Sequence, residues 1–339
     1  MNTSSLCTAA ALFALAAPAA AHHSYVEFDQ QSTVEIEGTL VAAAWQNPHS
    51  RLTIAAADGA RWDIESTSVN ALRRTGAPLE LFEVGSKVKL AGWPSTKATS
   101  RMYGTNILSS KGEELVLFRA QPRWAATAFG VEHATAAAST PARTLFRSWG
   151  SAYARPGIPD DPDASPGSLW RAPLPLTDVA RQAFAGFDSV QYNMSLGCAP
   201  KNMPFVMTVP SPTDLVDRGD RILLRIEELD VVRTIHMNST ADPHAQPKTP
   251  FGYSVGRREG ETLVVETGSV AGKYLRPGVP LGPNASFVER FTVSEDGKRL
   301  HYSVVMTDPY SLTEPVEQKR SWIAVDEPVM PYNCTPARQ

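Results

Sequence analysis

At 339 residues, with 42% hydrophobic and 20% charged side chains, the chain has the composition of a soluble globular protein and the length for two domains with separate cores. A formal net charge of -3, with acids and bases mixed along the chain, excludes the basic face on which nucleic-acid binding depends. Beyond the first residues no apolar run approaches the roughly 20 residues that span a bilayer, so no integral membrane segment is expected.

Residues 1–21 contain no charged side chain, and their apolar core, from about Leu6 to Ala17, is shorter than a spanning helix. With small residues at Ala19 and Ala21, this stretch reads as a signal peptide cleaved before His22, although its start lacks the usual Lys or Arg. A periplasmic or secreted location follows. Cys7 would be discarded with the leader, leaving Cys198 and Cys334, an even pair in an oxidising compartment. A structural disulfide is the expected use. A reactive thiol or a metal ligand is the alternative, although neither cysteine has a nearby His or second Cys at ligand spacing.

Residues 22–118 have the pattern of an OB-like five-stranded β-barrel. Val34 to Trp45 alternates and is rich in β-formers, Arg51 to Ala57 and Arg61 to Ser66 flank a turn at Asp58-Gly59, and Lys87 to Trp93 and Met102 to Leu108 supply two more strands. A short helix is predicted over Val69 to Arg74, capped by Ser66 or Ser68 and ended by Gly76. Trp45, Trp62, Trp93 and Tyr103 lack the charge pattern of a base-stacking surface and are expected to pack at the core or rim. Residues 119–170 change to an Ala- and Pro-rich composition that opposes regular structure and reads as a surface connector, with one brief helix from Pro141 to Trp149.

Residues 171–339 form a second domain. A helix is predicted from Thr177 to Phe187; after Cys198 the chain reads as about eight short strands, beginning with Phe205 to Val209 and ending with Val316 to Ile323. Hairpin turns at Arg218-Gly219-Asp220, Arg258 to Glu261 and Ser294 to Lys298 argue for an antiparallel barrel or bent meander, lipocalin-like, without a parallel sheet. The alternation in Arg299 to Thr307 puts Leu300, Tyr302, Val304 and Met306 on the core face. In the next strand upstream Glu289 falls among Phe287, Phe291 and Val293, at a strand end or as a partnered interior charge.

Four residues of this domain are candidates for ligand binding or acid-base chemistry. His236 and His301 lie on strands and could face the lumen, with Glu227, Glu228, Glu266 and Asp308 as possible carboxylate partners that the sequence does not pair; Arg233 and Glu266 complete the four candidates, and a structural role for the histidines competes with that reading. Gly252-Tyr253-Ser254-Val255-Gly256 matches a nucleophile elbow, but a strand follows where the elbow requires a helix, so Ser254 is expected to be inert. His133 and His244 fall in polar loops. His49, in the turn Asn47-Pro48-His49, could join His22 and His23 near one end of the first domain and hold a divalent transition metal, with copper as the expected ion. The α-amine and imidazole of His22 would supply two nitrogens and His49 a third, a tetragonal nitrogen set that suits Cu(II).

Residues 21 to about 118, through Ala21-His22-His23-Ser24, Asn47-Pro48-His49, Trp62-Asp63-Ile64-Glu65 and Leu72-Arg73-Arg74-Thr75-Gly76, resemble a family of small exported bacterial proteins of unknown function. The resemblance implies an exported OB-like domain. Residues from about Leu174 to Cys334 resemble a second group of uncharacterised exported proteins, through Cys198-Ala199-Pro200, Arg233 to Met237, Gly252 to Gly256 and Glu259 to Thr267. The chain departs from that group at Arg258, where Trp is usual, and at Asn238-Ser239-Thr240, where Asp-Gly-Arg is usual. The expectation is an exported protein that binds a metal or a small ligand. The alternative is an enzyme using a histidine and a carboxylate in the C-terminal barrel on a small apolar substrate.

Overall fold

The computed structural model describes residues 27–130, 143–151, 173–187 and 197–336. The leader, His22, His23, His133 and the Pro-Asp run at 155–163 lie outside these residues. The first domain contains β1 (Val34–Ala44), β2 (Arg51–Ala56), β3 (Arg61–Glu65), helix α1 (Val69–Arg74), β4 (Lys87–Pro94), β5 (Arg101–Ser109), β6 (Glu114–Val116) and β7 (Ala128–Phe129). Its sheet order is β3-β2-β1-β4-β5-β6-β7, and a parallel pairing of β3 with β5, Asp63 opposite Arg101, closes the first five strands into a barrel. Alternate side chains point inward, so Ile36, Leu40, Ile54, Leu90, Met102 and Ile107 form one core, and α1 adds Leu72 to it. The Ser68 hydroxyl accepts from the Ala71 N–H to start α1, and Gly76, at φ 69°, takes the left-handed conformation that ends the turn after it.

The second domain contains β8 (Ser148–Gly150), α2 (Asp178–Ala185), β9 (Thr213–Asp217), β10 (Arg221–Ile226), β11 (Val231–Met237), β12 (Tyr253–Glu259), β13 (Thr262–Gly268), β14 (Tyr274–Arg276), β15 (Val279–Pro280), β16 (Ser286–Val293), β17 (Arg299–Thr307) and β18 (Val316–Ala324). Nine of these strands close a barrel in the order β10-β11-β12-β13-β16-β17-β18-β8-β9. Leu300, Tyr302, Val304 and Met306 are buried as their alternation requires. Thr177 caps α2 through the Ala180 N–H.

Three local expectations are corrected. Residues 148–150 are a strand and not the end of a helix from Pro141; β8 pairs with β18 on one side and β9 on the other and completes the barrel, so part of the connector belongs to the second core. Leu145 and Trp149 have helical spacing, but strand pairing on both edges satisfies more backbone groups than one isolated turn, and Trp149 becomes fully buried. Phe205 to Thr208 is a buried 3-10 turn and not a strand; an apolar run enclosed on all sides carries no period that distinguishes the two. The barrel is also not wholly antiparallel, because β11 and β12 run parallel, Ile235 opposite Ser254. A closed ring with an odd number of strands cannot alternate direction throughout, so one parallel junction is a requirement of closure. The first barrel meets it at β3–β5 and the second at β11–β12. Among the described residues no helix is long and apolar enough to cross a membrane.

Candidate functional site

On the outer surface of the first barrel, β1, β4 and β5 leave a groove of about 640 Å³, covered on one side by residues 119–124. That volume is within the range of roughly 300–1,000 Å³ that small-molecule sites occupy. Glu35 faces it from β1, Lys89 and Trp93 from β4, and Thr105 and Asn106 from β5. The covering segment is pinned by buried Glu114 of β6, whose carboxylate accepts from the backbone N–H groups of Arg123, Trp124 and Ala125 at 2.8–2.9 Å and from Asn106 Nδ2 at 2.8 Å. Burial pushes the Glu114 carboxyl up, but these four donors outweigh it and hold it below its ordinary value.

Two features of the groove bear on ligands. Asn106 is fully buried; its Nδ2 donates to Glu114 and to the Gln121 carbonyl at 3.0 Å, which fixes the amide orientation, and among the described residues its Oδ1 is a buried acceptor without a partner. Such a group is costly to leave unpaired, by about 1–3 kcal/mol. At the rim, Glu35 accepts from Arg123 at 2.8 and 3.1 Å and meets Lys89 at 3.0 Å. Arg123 and Lys89 pull the Glu35 carboxyl down, and Glu35 in turn raises the Lys89 ammonium, so Glu35 and Lys89 are both charged near neutrality. Lys89 lies over the Trp124 ring at 5.3 Å, while Trp93 stacks on Tyr103 at 5.9 Å. Trp93 is half-buried and Tyr103 fully buried beneath it, within the core-or-rim packing that the sequence implies.

His49 stands at the entrance to β2. Its Nδ1 is 3.2 Å from the Ser66 carbonyl and 3.7 Å from Glu65, which is buried. Among the described residues the ring makes no other hydrogen bond, and donation from Nδ1 would leave Nε2 as the lone-pair nitrogen, as in metal-ligating histidines. Glu65 also carries Arg101 at 2.9 Å and Arg51 at 3.4 Å, and Arg101 Nε holds Glu27 at 2.7 Å. Glu27 lies five residues after His22 and shares one guanidinium with the carboxylate beside His49. Among the described residues no group of three metal-ligating side chains is assembled.

The second barrel does not gather its four candidates. Arg233 points into the core, where it meets Glu289 through both oxygens at 2.7 and 3.0 Å; Tyr302 donates to Glu289 at 2.9 Å, and Ser254 and Thr267 complete the cluster, 2.9 Å apart. Glu289 is thus the partnered interior charge of the two alternatives. Burial and then Glu289 push the Tyr302 phenol well above its ordinary value, so it stays a neutral donor. Ser254 is 1% exposed, the second residue of β12 and enclosed by this cluster, and the strand continues after it where an elbow requires a helix. His236 is three residues from Arg233, hence on the opposite face, stacked on Tyr253 at 4.5 Å. His301 is exposed beside inward Tyr302, and half-buried Glu266 sits 3.9 Å from His244. The lumen-facing expectation for both histidines is corrected by this alternation.

The junction of the two domains uses residues whose role the sequence did not disclose. Buried Glu227 accepts from Asn70 at 3.1 Å and from the Met330 N–H at 2.9 Å, and pairs with Arg74. Asn47 bonds Asn70 and the Tyr332 carbonyl, and its own carbonyl accepts from Thr335 at 2.9 Å. The segment from Glu327 to Thr335 is therefore a strap lying between the domains. Cys198 and Cys334 form the expected disulfide, with Cα atoms 5.9 Å apart, and fasten that strap.

The model of a family of unknown function (DUF6152) matches residues 10–103, a span that ends within β5. The chain is similar to that family over its first part only. No curated protein matches the chain.

Proposed function

We propose that this is an exported binding protein whose small polar ligand lies in the groove between the β1-β4-β5 face and residues 119–124. The reading of residues 1–21 as a leader, the resemblance of both halves to exported proteins and the disulfide support export. The observation that carries the ligand site is the polar lining of the groove, with Glu35, Lys89 and Arg123 at its rim and the buried amide of Asn106 beneath, whose Oδ1 has no partner among the described residues. Native mass spectrometry of the protein taken from cell-envelope extract tests it, with Ala120→Trp as the variant that fills the groove. A small-molecule adduct should accompany the wild type and be absent from the variant; the same adduct on both, or on neither, overturns the reading.

A second reading, copper at the mature N-terminus, is favoured by the chain of contacts from Glu27 through Arg101 and Glu65 to His49. Five residues reach at most about 18 Å, which is compatible with His22 approaching that imidazole. Calorimetric titration of Cu(II) into protein beginning at His22 tests it, against a version with one extra N-terminal Gly and against His49→Ala. Equal affinity in all three removes the structured site. Acid-base catalysis in the second barrel has weaker support, since His236 and His301 are turned away from the buried carboxylate.

A further inference from the structure

We propose that the mouth of the second barrel is a separate ligand site and takes a small monocarboxylate with an aromatic or branched-alkyl body. Arg258 of β12, Glu261 of the turn after it, Val293 at the end of β16 and residues 143–146 enclose a pocket of about 260 Å³. Alternation places this pocket at the barrel end. Ser254 and Gly256 face the core, so Arg258 continues their face, as Val293 continues that of Phe287, Glu289 and Phe291. Barrel mouths are among the places where small-molecule sites occur, and a volume just under the roughly 300–1,000 Å³ of drug-sized sites calls for a compact occupant. The wall formed by residues 143–146 is held from two sides. Leu145 is buried in the second core and its carbonyl accepts from the Trp149 indole at 3.1 Å, while Arg143 pairs with Glu261.

The carboxylates of this hairpin are already engaged: Glu261 by Arg143, and Glu259, on the outer face, by Arg257 and Arg290. Among the described residues Arg258 makes no hydrogen bond and no ion pair; its guanidinium lies over the Phe146 ring at 5.3 Å. A guanidinium held against a ring still presents N–H groups along its edges, and a carboxylate matches that fork with two parallel bonds. Thr144 adds a donor, because its hydroxyl accepts from the Phe146 N–H at 3.2 Å and keeps its own hydrogen. The remaining walls, Leu145, Phe146 and Val293, are apolar, so a ligand that uses the whole pocket carries hydrocarbon directly beside its charge. One charge is the right number: with Arg143 and Glu261 paired, the lining leaves a single cation unanswered, and a second anionic group would meet Glu261.

The test is isothermal titration calorimetry of the purified mature chain with phenylacetate, acetate and 2-phenylethanol, matched in ionic strength. Phenylacetate carries both the charge and the ring, acetate only the charge and 2-phenylethanol only the ring. Phenylacetate should bind at least about tenfold more tightly than either comparator. Arg258→Gln should remove at least about tenfold of that affinity with the melting temperature retained, since the side chain is exposed and touches only the Phe146 ring. Phenylacetate that binds no better than acetate or 2-phenylethanol, or that shows no binding at millimolar concentration, overturns the ligand class. Wild-type affinity in Arg258→Gln places the ligand elsewhere and overturns the site. The groove on the first barrel is untouched by either result, because its own test is the native adduct and the Ala120→Trp variant.

Discussion

Arg233 and Glu289 face each other in the core of the second barrel with almost no exposure, and each has its charge answered by the other. Removing one partner leaves an uncompensated buried charge, so Glu289→Gln and Arg233→Met should each lower stability by about 3–5 kcal/mol, while the double replacement by apolar residues should cost less than the sum. Chemical denaturation of the four proteins measures this, and additive losses would show the pair to be uncoupled. Ser254 sits in the same cluster, so no labelling of Ser254 by a fluorophosphonate is expected. Glu114 gives a prediction in pH. Its folded carboxyl titrates below the ordinary value of 4.5, so the folded state takes up its proton less readily than the unfolded one. The stability it contributes is complete above about pH 4.5 and is lost as the pH falls through the lower folded value. Glu114→Gln should cost about 2 kcal/mol at neutrality. It should also flatten the acid limb of a melting-temperature profile, and parallel acid limbs would contradict the assignment.

Elements are placed by closure as much as by propensity. β8 is three residues long, too short for stability alone, yet it pairs on both edges and lets the second barrel close. The strap from Glu327 to Thr335 contains no helix or strand, only a single β-bridge from Cys334 to Asn47, and is fixed by that bridge, by the disulfide and by side chains from both domains. The Cys198–Cys334 link closes a loop of 136 residues, for which chain entropy gives about 5 kcal/mol as an upper figure. Cys334→Ser should lower the melting temperature and make the strap the first site of proteolytic cleavage. Unchanged melting and an intact C-terminus under protease would refute a fastening role.

At the scale of the molecule, the two barrels meet through Asn47, Asn70 and Arg74 on one side and Glu227 and the strap on the other. Arg74→Met removes a charge partner from buried Glu227. A loss of about 3 kcal/mol is expected. Calorimetry should then resolve two transitions in place of one, since the interface would no longer couple the cores. A single transition at the wild-type temperature would show that the junction carries no coupling. Export itself is tested by the mass of the mature protein, which should begin at His22, or at Ala21 if the cut falls one residue earlier; an intact Met1 on protein from the periplasm would end that reading.

What the sequence determined by itself was what depends on near neighbours. Period-two alternation set the core faces of β16 and β17, Ser66 or Ser68 and Thr177 or Asp178 marked the helix starts, glycine-containing turns separated the strands, and the strand after Gly256 excluded an elbow at Ser254. Two cysteines without other partners foretold the disulfide. Tertiary structure alone decided what depends on groups far apart in the chain. Alternation says that Arg233 and His236 face opposite ways, but which face is the core depends on the neighbours the strand acquires on closure. The Asn47-Pro48-His49 turn shows the limit most clearly: its imidazole invites a metal reading, while its asparagine is buried against Asn70 and a strap some 285 residues later. The groove has the same character, because Asn106 becomes an unpaired acceptor only when residues 119–124 fold back over β5 and Glu114 and Gln121 capture its amide nitrogen. Local pattern carries no information about such closures, since their energy comes from desolvation and pairing between segments that meet only in the folded chain.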